Sequence, residues 1–182
     1  MLYSALSWEK GPVAIRYPRS GIPDVITEEF DQIQMGTWER LTKGKHVAIL
    51  AVGSMVYPAL EAFSQLQKEE IDVEVVNARF VKPLDEEMLG SILKRFDKII
   101  TVEENALSGG FGSAVLEFAE AHNINNVVIK RMGIPDEFIE HGSRDQLLRE
   151  LGLDKDGISQ MVKKILEPKV VFEKVKTRKA SS

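Results

Sequence analysis

Four short apolar runs punctuate the chain: AILAV at 48–52, VEVVN at 73–77, IITV at 99–102 and VVIK at 127–130. Their length and β-branched composition predict strands, three of them continuous enough to be buried on both faces of a sheet. Between them the spacing of apolar residues changes to that of a helix. Tyr57, Leu60, Phe63 and Leu66 recur within 57–69, Met88, Leu89, Ile92, Leu93 and Phe96 share one face of 85–96, and Phe111, Val115, Phe118 and Ala119 stack within 111–122. A further helix is predicted over 159–167 and is stopped by Pro168.

Strand and helix alternating in this way predict right-handed β-α-β crossovers, hence an α/β fold with a mainly parallel sheet and helices on both faces. Local signals agree. Pro83, Leu84 and Asp85 supply a turn and a helix N-cap, while Gly53 and Ser54 end one strand and cap the next helix. The first ~40 residues do not join this rhythm. They hold one short strand candidate, Val13–Tyr17, bounded by Pro and Gly, and then an irregular connector. We read 1–35 as the end of a preceding domain plus a linker, 36–167 as one domain, and 168–182 as a basic tail. That tail carries Lys169, Lys174, Lys176, Arg178 and Lys179 against Glu173 alone, a pattern of a solvated, mobile segment.

Composition narrows the chemistry. The 182 residues include no Cys, which excludes a disulfide scaffold, a thiolate metal site and a Cys nucleophile. A net charge of −4 gives no electrostatic reason to expect nucleic acid. No apolar run approaches the roughly 20 residues a membrane span needs, and the N-terminus lacks the pattern of a secretory signal, so neither membrane nor export is expected and the cytoplasm is the predicted location. His46, His122 and His141 are scattered without metal-ligand spacing, and Ser4, Ser54 and Ser113 lack the context of a nucleophile.

Three constellations remain. GGFGSAV at 109–115 follows a strand and opens a helix, where backbone N–H groups favour an anion. It matches neither the dinucleotide fingerprint nor a P-loop, and close helix-to-sheet packing is the expected use, with anion binding as the alternative. Glu103, Glu104 and Asn105 sit where a strand should end, the place where ligands and neighbouring domains collect in open α/β sheets. Adjacent carboxylates on an extended chain point opposite ways, so they do not form an acid/base pair, and a domain-interface or turn-stabilising role is expected. Arg16 and Arg19, in AIRYPR, are held by a stiff backbone that can present a planar fork to a phosphate or carboxylate, with an interdomain ion pair as the alternative.

Taken together, MLYSALSWEKGPVAIRYPRSG from Met1, VVNARFVKPLDEEML from Val75, TVEENALSGGFGSAVLE from Thr101 and MGIPDEFIEHGSRDQLLRELGLD from Met132 resemble the C-terminal portion of the 1-deoxy-D-xylulose-5-phosphate synthase family, transketolase-like thiamine diphosphate enzymes. The likeness runs to about Leu166. It implies a three-layer α/β/α transketolase C-terminal-type domain with a five-stranded, mostly parallel mixed sheet, its fifth strand antiparallel, for which 36–41 is a candidate. It also implies a transferase that condenses pyruvate with D-glyceraldehyde 3-phosphate into 1-deoxy-D-xylulose 5-phosphate and CO2, feeding isoprenoid precursor supply. Thiamine diphosphate and Mg2+ would be held by upstream domains, and none is expected on this chain. Residues 1–35 would then be the end of the pyrimidine-binding domain. Arg16 resembles the family residue that holds the acceptor's phosphate, with Arg19 a weaker candidate.

The resemblance further implies partners: the upstream cofactor-binding and pyrimidine-binding domains, and a second copy in a homodimer. Met1 would fall inside the second domain, as an internal Met or the edge of a fragment, leaving residues 1–35 poorly ordered or docked somewhere improvised. The alternatives are a stand-alone interaction module, or one half of a split 2-oxo acid dehydrogenase/transketolase-like enzyme.

Overall fold

The computed structural model describes residues 1–17 and 30–167. In chain order the elements are α1 (Leu2–Leu6), β1 (Glu39–Arg40), β2 (Val47–Ala51), α2 (Val56–Gln67), β3 (Val73–Asn77), α3 (Glu86–Arg95), β4 (Lys98–Ala106), α4 (Phe111–Ala121), β5 (Val128–Ile134), α5 (Arg144–Glu150) and α6 (Lys155–Leu166). The strands form one sheet in the order β1-β3-β2-β4-β5, parallel throughout except for β1, which pairs antiparallel with β3. This is the three-layer α/β/α arrangement with a mixed five-stranded sheet. The antiparallel strand lies within 36–41, where the resemblance had placed a candidate.

The central strands show why a continuous apolar run reads as buried on both faces. Every residue of β2 is buried, and its side chains alternate. Val47, Ile49 and Ala51 join the core under α2 and α6, whereas Ala48 and Leu50 join the core under α3 and α4. Strand β3 alternates likewise but carries Glu74 at a buried position. Arg40 Nε donates to Glu74 Oε1 at 3.1 Å, and the Arg95 guanidinium donates to both carboxylate oxygens at 2.6 and 3.0 Å. A buried charge so paired is tolerated, and it ties β1 and the end of α3 to the sheet.

The Asp85 cap is formed as its sequence suggests. Oδ1 accepts from Met88 N at 2.9 Å, and Oδ2 accepts from Trp38 N at 2.8 Å, which fixes the connector entering the sheet. The indole of Trp38 donates to the Phe80 carbonyl at 2.8 Å and packs edge-on against Phe111.

Four local expectations are corrected. Val13–Tyr17 is not a strand, because none of the five strands pairs with it and its ladder has no partner. Ser54 does not cap α2; a turn of 3-10 helix at Gly53–Met55 leads in, and the Ser54 hydroxyl is used elsewhere. The helix read at 159–167 begins at Lys155, capped by Asp154, whose Oδ1 accepts from Gly157 N at 2.9 Å. The chain after β5 is irregular through Gly142, and α5 then forms where no helix was read.

At the N-terminus, α1 docks on its own chain. Ser4 Oγ accepts from Ile33 N at 2.8 Å, and the Tyr3 and Phe30 rings lie 6.2 Å apart. The tail 168–182 and Arg19 lie outside the described residues.

Candidate functional site

The parallel strands β2 and β4 end on the same side of the sheet, and the polar chemistry gathers there. Alternation along β4 sends Glu103 and Glu104 in opposite directions. Glu103 turns into the molecule and is 2% exposed. Its two oxygens accept from the first N–H groups of α4, Oε2 from Phe111 N and Oε1 from Gly112 N, both at 2.7 Å. The anion that this glycine-rich helix start favours is therefore a carboxylate of the same chain.

Gly110 and Gly112 make that seat possible. A Cβ at Gly110 would overlap the Ala106 carbonyl oxygen and Glu103 Oε2, and one at Gly112 would come within 2.5 Å of Thr101 Oγ1 and 2.8 Å of Arg131 Cγ. Close helix-to-sheet packing and anion binding, read as alternatives for GGFGSAV, are thus served by the same residues. Glu103, Glu104 and Asn105 were expected to serve a domain interface or to stabilise a turn; burial and its bonds to the start of α4 give Glu103 the second, internal role. Ser113 belongs to the same construction: its hydroxyl donates to the Leu107 carbonyl at 3.0 Å and accepts from Arg131 Nη1 at 2.9 Å.

Glu104 faces the other way, into a cluster assembled from distant parts of the chain. Ser54 Oγ, at the end of β2, donates to Oε2 at 2.7 Å. Arg144, the first residue of α5, grips both oxygens, Nε donating to Oε1 at 2.7 Å and Nη2 to Oε2. The fork of Arg144 holds the Glu104 carboxyl below the usual carboxylate range against the opposing effect of burial, with further help from the Ser54 hydroxyl and from the nearby charge of Arg16. The same pairing raises Arg144 above its ordinary value.

Arg16, singled out for a separate reason, contributes only the weakest of these influences on Glu104. Asn105 continues the strand, half-buried, with its carbonyl packed against Gly133.

Arg144 was missed in the sequence, although a signal was present. Ser143 followed by Gln146 is the start of a capping box, and Ser143 Oγ accepts from Gln146 N at 3.3 Å. The histidines stay apart: His46 Nδ1 accepts from Asp72 N at 2.9 Å, His122 stacks on Phe118 at 4.0 Å, and His141 is exposed.

No group of three or more His, Asp or Glu able to hold a metal occurs among the described residues. The helix start best suited to a diphosphate is filled by Glu103. These residues do not fit a diphosphate with its metal. None of the helices among the described residues is long and apolar enough to cross a membrane.

Comparison with known proteins places this architecture. Residues 36–158 match the model of the transketolase C-terminal domain. The chain belongs to the transketolase C-terminal domain family. It is also similar to the C-terminal portion of 1-deoxy-D-xylulose-5-phosphate synthases. It is 49% identical over 170 residues to the synthase of Geobacillus sp. strain WCH70, covering 93% of this chain and 27% of that protein. Against the synthase of Aquifex aeolicus it is 50% identical over 167 residues, covering 92% and 26%.

The chain therefore spans about a quarter of the length of the curated relatives it matches. Among solved structures, a split-gene transketolase described as an inactive beta4 tetramer aligns with a TM-score of 0.71 at 33% identity, covering 81% of this chain and 47% of that one. Transketolase from Campylobacter jejuni aligns with a TM-score of 0.53 at 20% identity, covering 71% and 18%, a likeness of fold.

Proposed function

We propose that the chain is the C-terminal part of a 1-deoxy-D-xylulose-5-phosphate synthase. The complete enzyme joins pyruvate and D-glyceraldehyde 3-phosphate into 1-deoxy-D-xylulose 5-phosphate with release of CO2, in the cytoplasm. The observation that carries this reading is the 49% identity extending over 93% of the chain, which reaches beyond the matched domain to include the N-terminal segment. The chain alone is inactive, since the residues that would hold thiamine diphosphate and Mg2+ belong to upstream domains.

Arg16 is the contact to the acceptor's phosphate, its guanidinium suited to a bidentate grip on that group, and Arg19 is a second candidate. Glu104 and Asn105 face the neighbouring domain. A charge-assisted phosphate contact is worth about 1.5–3 kcal/mol. In the complete enzyme Arg16→Ala therefore raises the KM for D-glyceraldehyde 3-phosphate by about tenfold or more and leaves that for pyruvate nearly unchanged. Equal effects on both substrates, in steady-state kinetics, would show that Arg16 is structural.

One observation favours a second reading, in which the upstream domains are a separate chain. The structural relative at 33% identity is a split-gene transketolase, and its inactive state is a tetramer of one chain type. By that reading this chain forms an inactive homo-oligomer until its partner arrives. Mixing it with a separately produced upstream half restores turnover if the halves assemble; absence of turnover while a covalent fusion of the same halves is active would rule the split arrangement out.

A further inference from the structure

The two ends of the parallel sheet differ in surface. At the amino end, the turns leading into β2, β3, β4 and β5 carry lysines, acids and asparagines, and no large apolar side chain there is exposed among the described residues. At the carboxyl end Tyr57 at the start of α2, Val81 after β3 and Phe138 after β5 are all exposed. They are three of the four exposed large apolar side chains in the domain, the fourth being Leu116 on α4, so the apolar surface is concentrated at one end.

Phe138 is the extreme case. Its side chain is fully exposed, and the loop that carries it is tied at both ends to the end of β4: Leu107 N donates to the Ile134 carbonyl at 2.9 Å, and Arg144 grips Glu104. A ring left in water on an anchored loop adds nothing to the domain's own core, and burying it against a partner is favourable. Asp136, Glu137 and Glu140 around it are exposed as well, which suits an apolar socket with a basic rim.

The course of the chain indicates what arrives at this end. Strand β1 runs antiparallel, with Glu39 opposite Asn77 at the end of β3, so the connector ahead of it enters the sheet at the carboxyl end. There it is bonded to the loop after β3: Arg79 Nε donates to the Thr37 carbonyl at 2.8 Å, and Trp38 Nε1 donates to the Phe80 carbonyl at 2.8 Å. Polypeptide ahead of the domain is thus led to the same end as Phe138. A second copy meeting this loop about a twofold axis would instead oppose like charges.

We propose that the carboxyl end of the sheet is the surface on which the upstream part of the synthase docks, with Phe138 as the anchor and Tyr57 and Val81 as further contacts. This rests on the reading of the chain as the C-terminal part of a longer enzyme. The partner is an apolar socket rimmed by lysine or arginine on the upstream polypeptide, and the amino end of the sheet stays in water.

Hydrogen exchange compares the chain alone with an enzyme made by fusing it to the upstream part of the Geobacillus relative. In the fusion, amides of 80–84 and 136–143 exchange about tenfold more slowly than in the chain alone, or slower still, while those of 68–72 and 122–126 are unchanged. Phe138→Asp removes that difference and lowers the unfolding midpoint of the fusion. It leaves the midpoint of the chain alone unmoved, because the ring has no packing to lose there. Protection that is absent, that falls on the amino-end turns, or that survives Phe138→Asp overturns the proposal. So does concentration-dependent protection of 136–143 in the chain alone, which would make a second copy the occupant.

A second measurement needs no fusion. The chain binds the separately produced upstream half, and Phe138→Ala weakens that complex by about 10- to 100-fold, the range for one buried aromatic ring. Equal affinity of the two chains overturns the anchor role. A fusion that protects 136–143 but forms no 1-deoxy-D-xylulose 5-phosphate removes the assigned reaction and leaves the docking surface; a fusion that forms product without protection removes the docking surface alone.

Discussion

Glu103 and Glu104 are neighbours on one strand, identical in chemistry, and they serve two different regions of the molecule. The inward region, where Glu103 meets the start of α4, is dry, and its donors are backbone N–H groups that have no other partner. The outward region, where Glu104 meets Ser54 and Arg144, is half-exposed and its partners are side chains from two distant segments. Removing the first carboxylate strands buried donors. Removing the second frees cations that water can serve. Burial and the identity of the donor, more than the charge, decide whether a glutamate supports the fold or remains available to a site.

The sharpest way to break the comparison is Glu103→Ala, expected to cost about 3 kcal/mol by leaving the first N–H groups of α4 unpaired in the core. Urea unfolding of the chain measures it, and a loss below about 1 kcal/mol would place both glutamates in the same class. Gly110→Ala attacks the same seat sterically, since the added methyl overlaps a backbone carbonyl and the Glu103 carboxylate. Overpacking of that kind costs about 2 kcal/mol, read from the shift in the unfolding midpoint at constant m-value.

Glu104→Ala is the contrasting case, at less than about 1 kcal/mol, because a half-exposed ion pair contributes little to stability even when its geometry is good. Matching losses for Glu104→Ala and Glu103→Ala in one denaturation series would contradict the division.

The smallest effect is one of pH. The Glu104 carboxyl is held below its ordinary value by Arg144, so its contribution to stability is present above the usual glutamate range and is lost as the pH falls through the depressed value. Amide exchange at the start of α5 should therefore quicken on acidification before that of β2 does. Simultaneous loosening of both would show that the pairing does not hold α5.

Much of the fold was legible because its signals were local. The buried runs of β2 and β3, the period of α2 to α4 and the Asp85 cap each depend on residues close in sequence. Burial of both sheet faces made the continuous runs unambiguous. The misreadings share a cause in tertiary context. Val13–Tyr17 has strand composition but no strand beside it among the described residues, and the hydroxyl of Ser54 is taken by a carboxylate 50 residues away.

The site was legible in part. Glu104 was singled out by its place at the end of β4 and Arg16 by its residue type, in a segment that forms no strand. Arg144 was not, because its importance comes from a contact across 40 residues, and only the capping signal at Ser143 and Gln146 marked its helix.

The two-residue strand β1 has a consequence for how copies of this molecule can associate. Clamped by the Arg40–Glu74 pair, it closes one margin of the sheet after a single pair of rungs, too short a template to recruit another polypeptide. The opposite margin is β5, seven residues long, and there an exposed Lys130 stands at the third position as a gatekeeper. Brevity guards one border and a charge guards the other, so self-association through edge-to-edge sheet growth is disfavoured on both sides.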